Sequence, residues 1–170
     1  MEYNDIYDRK RKLTGRTHLR GTRWGKDEYG LVVCVWVADG RGKVLLTRRA
    51  PEKSYAGTWE NSGGAAQAGE NSRQAISREL FEETGIKISP KEFCLIDAGT
   101  EGNTHYDYYA VVRDIPAEEV VLLPGETDDV KWVSFDEVEE MIQRKQICKI
   151  IARQYRRQKT MIPGWQNVQK

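Results

Sequence analysis

The segment Gly64 to Ile86, GAAQAGENSRQAISRELFEETGI, gathers acids at spacings that suit chemistry. Asn71 and Gln74 fit a capping pair and Gly85 fits the left-handed position just past a helix, so a helix is predicted over about 71–84. With Ile76 at ~0° and ~100° per residue, Leu80 falls at ~40°, Glu83 at ~340°, Glu79 at ~300° and Glu82 at ~240°. The three carboxylates share an arc of ~100° that borders the apolar stripe instead of opposing it. Small Ala75 leaves room beside them, and Arg78 precedes Glu82 by four residues, where it can pair with that carboxylate. An acidic helix face is ordinarily solvated surface. Carboxylates clustered beside buried surface, however, repel one another unless a cation or an arginine holds them. Hard divalent ions such as Mg²⁺ take such oxygen ligands and bridge to substrate phosphates, so the face predicts a Mg²⁺ site at a cleft, with phosphate chemistry as its use.

The remaining elements must position that helix. The apolar run LVVCVWVA at 31–38 and KVLLTRR at 43–49 predict two strands joined by DGRG at 39–42, whose glycines suit a hairpin turn. Further strands are predicted at 93–98, 105–112, 119–123 and 130–133. Ser134 and Glu137 have capping-box spacing ahead of a helix at about 135–144, and Ile147, Ile150, Ile151 and Tyr155 share a stripe over about 147–158. Strands interrupted by helices predict an α/β fold, a mixed sheet covered by helices.

At 170 residues the chain is expected to be one domain, with a core at about 30–144, a basic N-terminal extension 1–26 and a C-terminal helix and tail 145–170. The net charge is +1, which argues against a nucleic-acid-coating protein or a polybasic membrane binder. The distribution is uneven: residues 1–26 and 144–170 each hold eight Lys and Arg, while the middle holds 23 acids. No apolar run reaches the ~20 residues of a membrane span, and no secretory signal is visible, so a cytoplasmic location is expected. Cys34, Cys94 and Cys148 each lie in an apolar segment and read as buried small hydrophobes, with no disulfide or zinc spacing. His18 and His105 build no convincing zinc site or triad.

The helical segment resembles the Nudix box, G-x5-E-x7-R-E-U-x-E-E-x-G-U with U aliphatic. Gly64, Glu70, Arg78, Glu79, Leu80, Glu82, Glu83, Gly85 and Ile86 fill every specified position, a match expected by chance on the order of one time in a million. GTWENSGGAA at 57–66 and GETDDVKWVSFDEVEEMI further on are similar to the family's flanking segments. The resemblance implies an α/β/α sandwich that hydrolyses a nucleoside diphosphate linked to another moiety, by metal-activated water. It implies Glu79 and Glu83 as principal ligands of Mg²⁺, or of Mn²⁺ in its place, with Glu82 in the same shell or orienting the water and the Gly64 carbonyl as an additional ligand. Glu70 and Arg78 would brace the helix. The general base lies in the box or in a later loop, where Glu126 is the candidate, against a reading as an exposed turn acid. Arg48 and Arg49 end the second strand, and in the family a basic residue there often reaches the site; strand alternation lets only one of them face inward. Trp59 can stack on a base or fill the core, and Tyr106, Tyr108 and Tyr109 can line the pocket or pack the sheet, with the core and packing roles preferred.

Two other functions are weighed. Isopentenyl diphosphate isomerases share the fold, but their chemistry uses a cysteine in the cleft approach, and Trp59-Glu60-Asn61-Ser62-Gly63 has none. A non-catalytic nucleotide sensor would be expected to carry a DNA-binding domain, for which the residues after 143 are too few. The expected partner is a small diphosphate substrate, a nucleotide, and the commonest assembly would be a homodimer. The choice of substrate rests on pocket residues outside the box.

Overall fold

The computed structural model describes residues 1–165; the last five residues of the predicted tail lie outside the described residues. Its centre is a nine-residue apolar strand that is covered on both sides. This strand, β3 (Gly30–Ala38), follows an N-terminal pair, β1 (Tyr3–Tyr7) and β2 (Leu13–Leu19), and precedes β4 (Lys43–Arg49), β5 (Trp59–Glu60), β6 (Ser62–Ala65), β7 (Cys94–Glu101), β8 (Thr104–Val112) and β9 (Thr127–Ser134). The helices are α1 (Ser72–Thr84), α2 (Phe135–Gln143) and α3 (Lys149–Gln158).

The main sheet runs β5-β4-β3-β8-β7, with β6 added to β3 and β9 to β4. β3 and β8 are parallel, from Gly30 opposite Thr104 to Ala38 opposite Val112, and the other pairs are antiparallel, so the sheet is mixed. Alternation along β3 feeds two cores. Leu31, Val33, Val35 and Val37 meet Ala75, Ile76 and Leu80 of α1 on one face. Trp36 and Ala38, with Val44 and Leu46 of β4, meet Val138 and Met141 of α2 and Ile151 and Tyr155 of α3 on the other. The result is an α/β/α sandwich. No described helix is long and apolar enough to cross a membrane.

Three expectations change. EVVLL at 119–123 forms no strand: a 3₁₀ turn at Ala117–Glu119 leads into irregular chain between Pro116 and Pro124, and β9 already holds the free edge of β4. The segment instead closes the end of α1, where the Val121 amide donates to the Thr84 carbonyl at 2.9 Å. Cys94 is exposed because it opens the edge strand β7 on its outer side, whereas Cys34 and Cys148 are buried; all three are free. The basic extension 1–26 contains a second, two-stranded sheet. It is fastened to the approach to α1 by Asn4 Nδ2 donating to Ala66 O (2.7 Å), Ala68 N to Tyr3 O (2.8 Å) and Gly69 N to Asp5 Oδ2 (2.8 Å).

Candidate functional site

Helix α1 is bounded as its sequence predicts. The Asn71 side chain accepts from the Arg73 and Gln74 amides, Gln74 returns the bond, and Gly85 closes the far end at φ +70°. This fixes the phase of the helix: Ala75, Ile76, Leu80 and Thr84 are buried, and the carboxylates flank that stripe where it meets β6. Contact there requires glycine. A Cβ on Gly64 would stand about 2.5 Å from the Glu79 carboxylate oxygens, and one on Gly63 would overlap the Val33 carbonyl and reach Cys34. The bare strand lets helix and sheet close over the acids.

Arg78 organises one half of the cluster. Its Nε and Nη2 clamp Glu70 at 2.7 and 2.9 Å, Nη1 reaches Glu79 at 2.9 Å and Glu82 at 3.0 Å, and Nη2 also donates to the Ala65 carbonyl at 3.2 Å. Burial opposes the charge of Glu70, yet Arg78 and the Gln67 amide more than offset it and hold that carboxyl below its usual range. Glu79 goes the other way: burial pushes it up against the pull of Arg78 and, more weakly, of Arg20 from the N-terminal sheet. Glu83 anchors the other half. Burial, then the neighbouring Glu60 and Glu79, push its carboxyl up to about 8 despite hydrogen bonds from Ser62 and the Gly63 amide. No Lys or Arg pairs with it among the described residues.

The donor set is all oxygen, which suits a hard divalent ion, and Glu83 lacks the positive charge that would let it ionise at neutral pH. The acids are not drawn together as a finished cage, since no three His, Cys, Asp or Glu among the described residues converge on one point. Arg78 takes an oxygen each from Glu79 and Glu82.

The family model for the NUDIX domain matches residues 28–158. The chain belongs to the Nudix family. It is 31% identical over 150 residues to an uncharacterised Nudix hydrolase of Listeria monocytogenes, covering 83% of this chain and 85% of that protein. A second, from Listeria innocua, is 30% identical over 148 residues with the same coverage. In fold it is similar to the crystal structure of a Deinococcus radiodurans protein, with a TM-score of 0.76 and 19% identity over 92% of this chain and 99% of that one. Nudix membership carries hydrolase activity on nucleoside-diphosphate-linked compounds, and typically a divalent metal, as general expectations of the family.

The structure brings Gly64, Glu70, Arg78, Glu79, Glu82 and Glu83 together. It separates the two strand-end arginines by alternation. Arg49 turns to the acid cluster, clamping Glu60 at 2.6 and 2.8 Å, while Arg48 turns away to Asp128 at 2.7 Å. Trp59 is 8% exposed and packs in the core, with Lys131 and Arg48 at 4.3 and 5.7 Å from its ring. Glu126 pairs with Lys53 and lies next to Glu60, one residue removed from Glu83. Both histidines are structural: His105 bonds to Thr100 Oγ1 (2.7 Å) and the Asp8 carbonyl (2.8 Å), and His18 stacks on Trp24.

Glu60 is the acid that sequence reasoning passed over. Burial raises its carboxyl against the pull of Arg49. The available signal was strand alternation, which puts residues 60, 62 and 64 on the side that faces α1.

Proposed function

We propose that this Nudix protein hydrolyses a diphosphate linkage in a nucleoside diphosphate joined to a second moiety, with Mg²⁺ as its metal and Mn²⁺ as a substitute. The observation that carries the reading is Glu83: a carboxyl packed against Glu60 and Glu79 and pushed up to about 8, with no basic side chain of its own. Glu79, Glu82 and Glu83 would hold the ion, with the Gly64 carbonyl as a further ligand. The ion supplies neutralisation of the diphosphate and a lowered pKa for the attacking water. Arg78 acts as a positioning residue: by gripping Glu70 and the Ala65 carbonyl it fixes the turn of α1 that carries Glu79 and Glu82. Arg49 does the same for Glu60. Glu82, half exposed, and Glu126, in the loop beyond Glu60, are the groups placed to accept a proton from water. The chain is read as one domain over 1–170, with the N-terminal sheet and α3 as parts of it.

The test is a panel of nucleotide diphosphates incubated with Mg²⁺ and assayed for phosphate-containing products, beside Glu83→Gln. Turnover by the native protein and its loss in the variant are expected. Tight binding without turnover would favour a sensor, and allylic isomerisation would favour the isomerase. Cys34 speaks against the latter, since burial pushes its thiol up to about 12.

A further inference from the structure

The carboxylates of α1 already claim the charge of a divalent ion, so the phosphates of a substrate need further cations. Most of the basic side chains around the cluster are spent. Arg78 uses all three nitrogens on Glu70, Glu79, Glu82 and the Ala65 carbonyl. Arg49 gives Nη1 to Glu60 and donates from Nε and Nη2 to Ser54. Lys53 is paired with Glu126, and Arg48 with Asp128. Arg20 differs. Its Nη1 takes both carboxylate oxygens of Glu2, at 2.8 and 2.7 Å, while its Nε and Nη2 hold no hydrogen bond among the described residues.

The fold brings Arg20 to the acids. Its amide donates to the Glu2 carbonyl at 3.0 Å, and the next carbonyl, of Tyr3, accepts from the Ala68 amide in the loop between β6 and α1 at 2.8 Å. A cavity of about 330 Å³ lies between the hairpin and that approach, lined by Arg20, His18 and Thr22 on one side and by Val32 and Ala65 on the other. Its wall is rigid. His18 stacks on Trp24 with ring centroids 3.8 Å apart, and Trp24 lies against Gly30, where any Cβ would overlap the indole. Ala65 adjoins Gly64, against which the Glu79 carboxylate rests, and Arg20 is near enough to act on that carboxylate.

Glu2 holds Arg20 only lightly. The two side chains are 31% and 56% exposed, and an ion pair in water contributes little. Nε and Nη2, the atoms left open, form the edge of a guanidinium that grips two phosphate oxygens in parallel.

We propose that Arg20 binds the phosphate of the diphosphate that lies away from the metal, so that the N-terminal hairpin supplies part of the active site. The assignment rests on the diphosphate-hydrolase reading. It gives the basic extension a role that the helix and its acids cannot fill, because their own arginines are committed to carboxylates.

The test is calorimetry on the full chain with Mg²⁺ and methylenediphosphonate, a diphosphate whose P–C–P bridge water does not cleave. The native protein should bind it, and Arg20→Ala should weaken that binding about tenfold or more while the melting temperature and the affinity for Mg²⁺ alone stay in place. Arg16→Ala removes the same charge from the same hairpin, at a residue paired with Glu28, and should bind as the native protein does. No binding by the native protein, native affinity in Arg20→Ala, or an equal loss in Arg16→Ala would each overturn the contact. So would a loss of affinity for Mg²⁺ alone by the same factor in Arg20→Ala. Because binding is read without turnover, the two readings fail separately. Arg20-dependent binding with no hydrolysis of any nucleotide diphosphate leaves the contact and removes the hydrolase. Hydrolysis lost in Glu83→Gln, with diphosphonate affinity and KM indifferent to Arg20→Ala, does the reverse.

Discussion

The face of α1 and the seam between β7 and α3 are built from the same residue types and serve different ends. On α1, Glu79 and Glu83 are drawn under β6, and burial resists their charge. Along the seam, Arg153 pairs with Glu101 and Arg157 with Asp97, and the Arg153 pair is more than half exposed on both sides. Elsewhere, too, basic side chains of both ends meet acids of the middle, as in Arg11–Asp107, Arg16–Glu28 and Lys159–Glu139, which answers the charge asymmetry of the sequence. A carboxylate in water is neutralised by whatever is near. One sealed against a glycine strand must be matched by a specific group, and that is where chemistry is to be sought.

The contrast should be widest in activity. Glu83→Gln is expected to lower kcat about a hundredfold or more, while Glu101→Gln changes it by less than about twofold. Steady-state kinetics on any substrate found in the panel decides this, and equal losses would break the distinction between the regions.

Stability should separate them next. Arg78→Ala leaves three acids without their partner and should cost about 3 kcal/mol, roughly 10 °C in melting temperature. Arg153→Ala should cost less than about 1 kcal/mol, because both partners are solvated. Arg78→Lys should recover little, since a single ammonium cannot reproduce the fork that holds Glu70, Glu79 and Glu82.

Adjacent glycines sharpen the comparison further. At Gly63 an added methyl meets backbone, the Val33 carbonyl, so Gly63→Ala should chiefly lower thermal stability, by about 1–3 kcal/mol. At Gly64 it meets the Glu79 side chain, which can swing aside, so Gly64→Ala should keep most of its stability and lose about tenfold or more in kcat. A Gly64→Ala enzyme of native activity would show that Glu79 need not lie against the strand.

The smallest effect concerns Asp39, in the turn between β3 and β4. Burial disfavours its charge, but the Lys43 and Arg41 amides at 2.9 and 2.7 Å more than compensate and keep the carboxyl below its usual range. A depressed carboxyl contributes stability above its unfolded value of 3.8, and that contribution is lost as pH falls through the folded one. Asp39→Asn keeps an acceptor without the charge, so a deficit of about 1 kcal/mol at pH 7 should close in melts taken below that window. A deficit independent of pH would assign the effect to shape instead.

Local features of the chain were legible because they follow from local rules. Asn71, Gln74 and Gly85 mark the ends of α1, and the 3.6-residue period puts Glu79, Glu82 and Glu83 beside its apolar stripe. The apolar run of β3 and the capping pair Ser134–Glu137 were equally local. EVVLL was misleading because strand propensity needs a free edge, and β9 had taken it. Which of Arg48 and Arg49 faces the acids, and that Glu60 joins them, depended on pairing register.

The sequence by itself determined which residues can hold a cation and on which side of a helix they stand, since covalent geometry and the helical period settle both. Only the tertiary structure decided what those residues feel. The rise of Glu83, the lowering of Glu70 and the folding of a basic hairpin toward Glu79 each arise where segments far apart in the chain exclude water together. Desolvation is a property of packing, and no single stretch of chain encodes it.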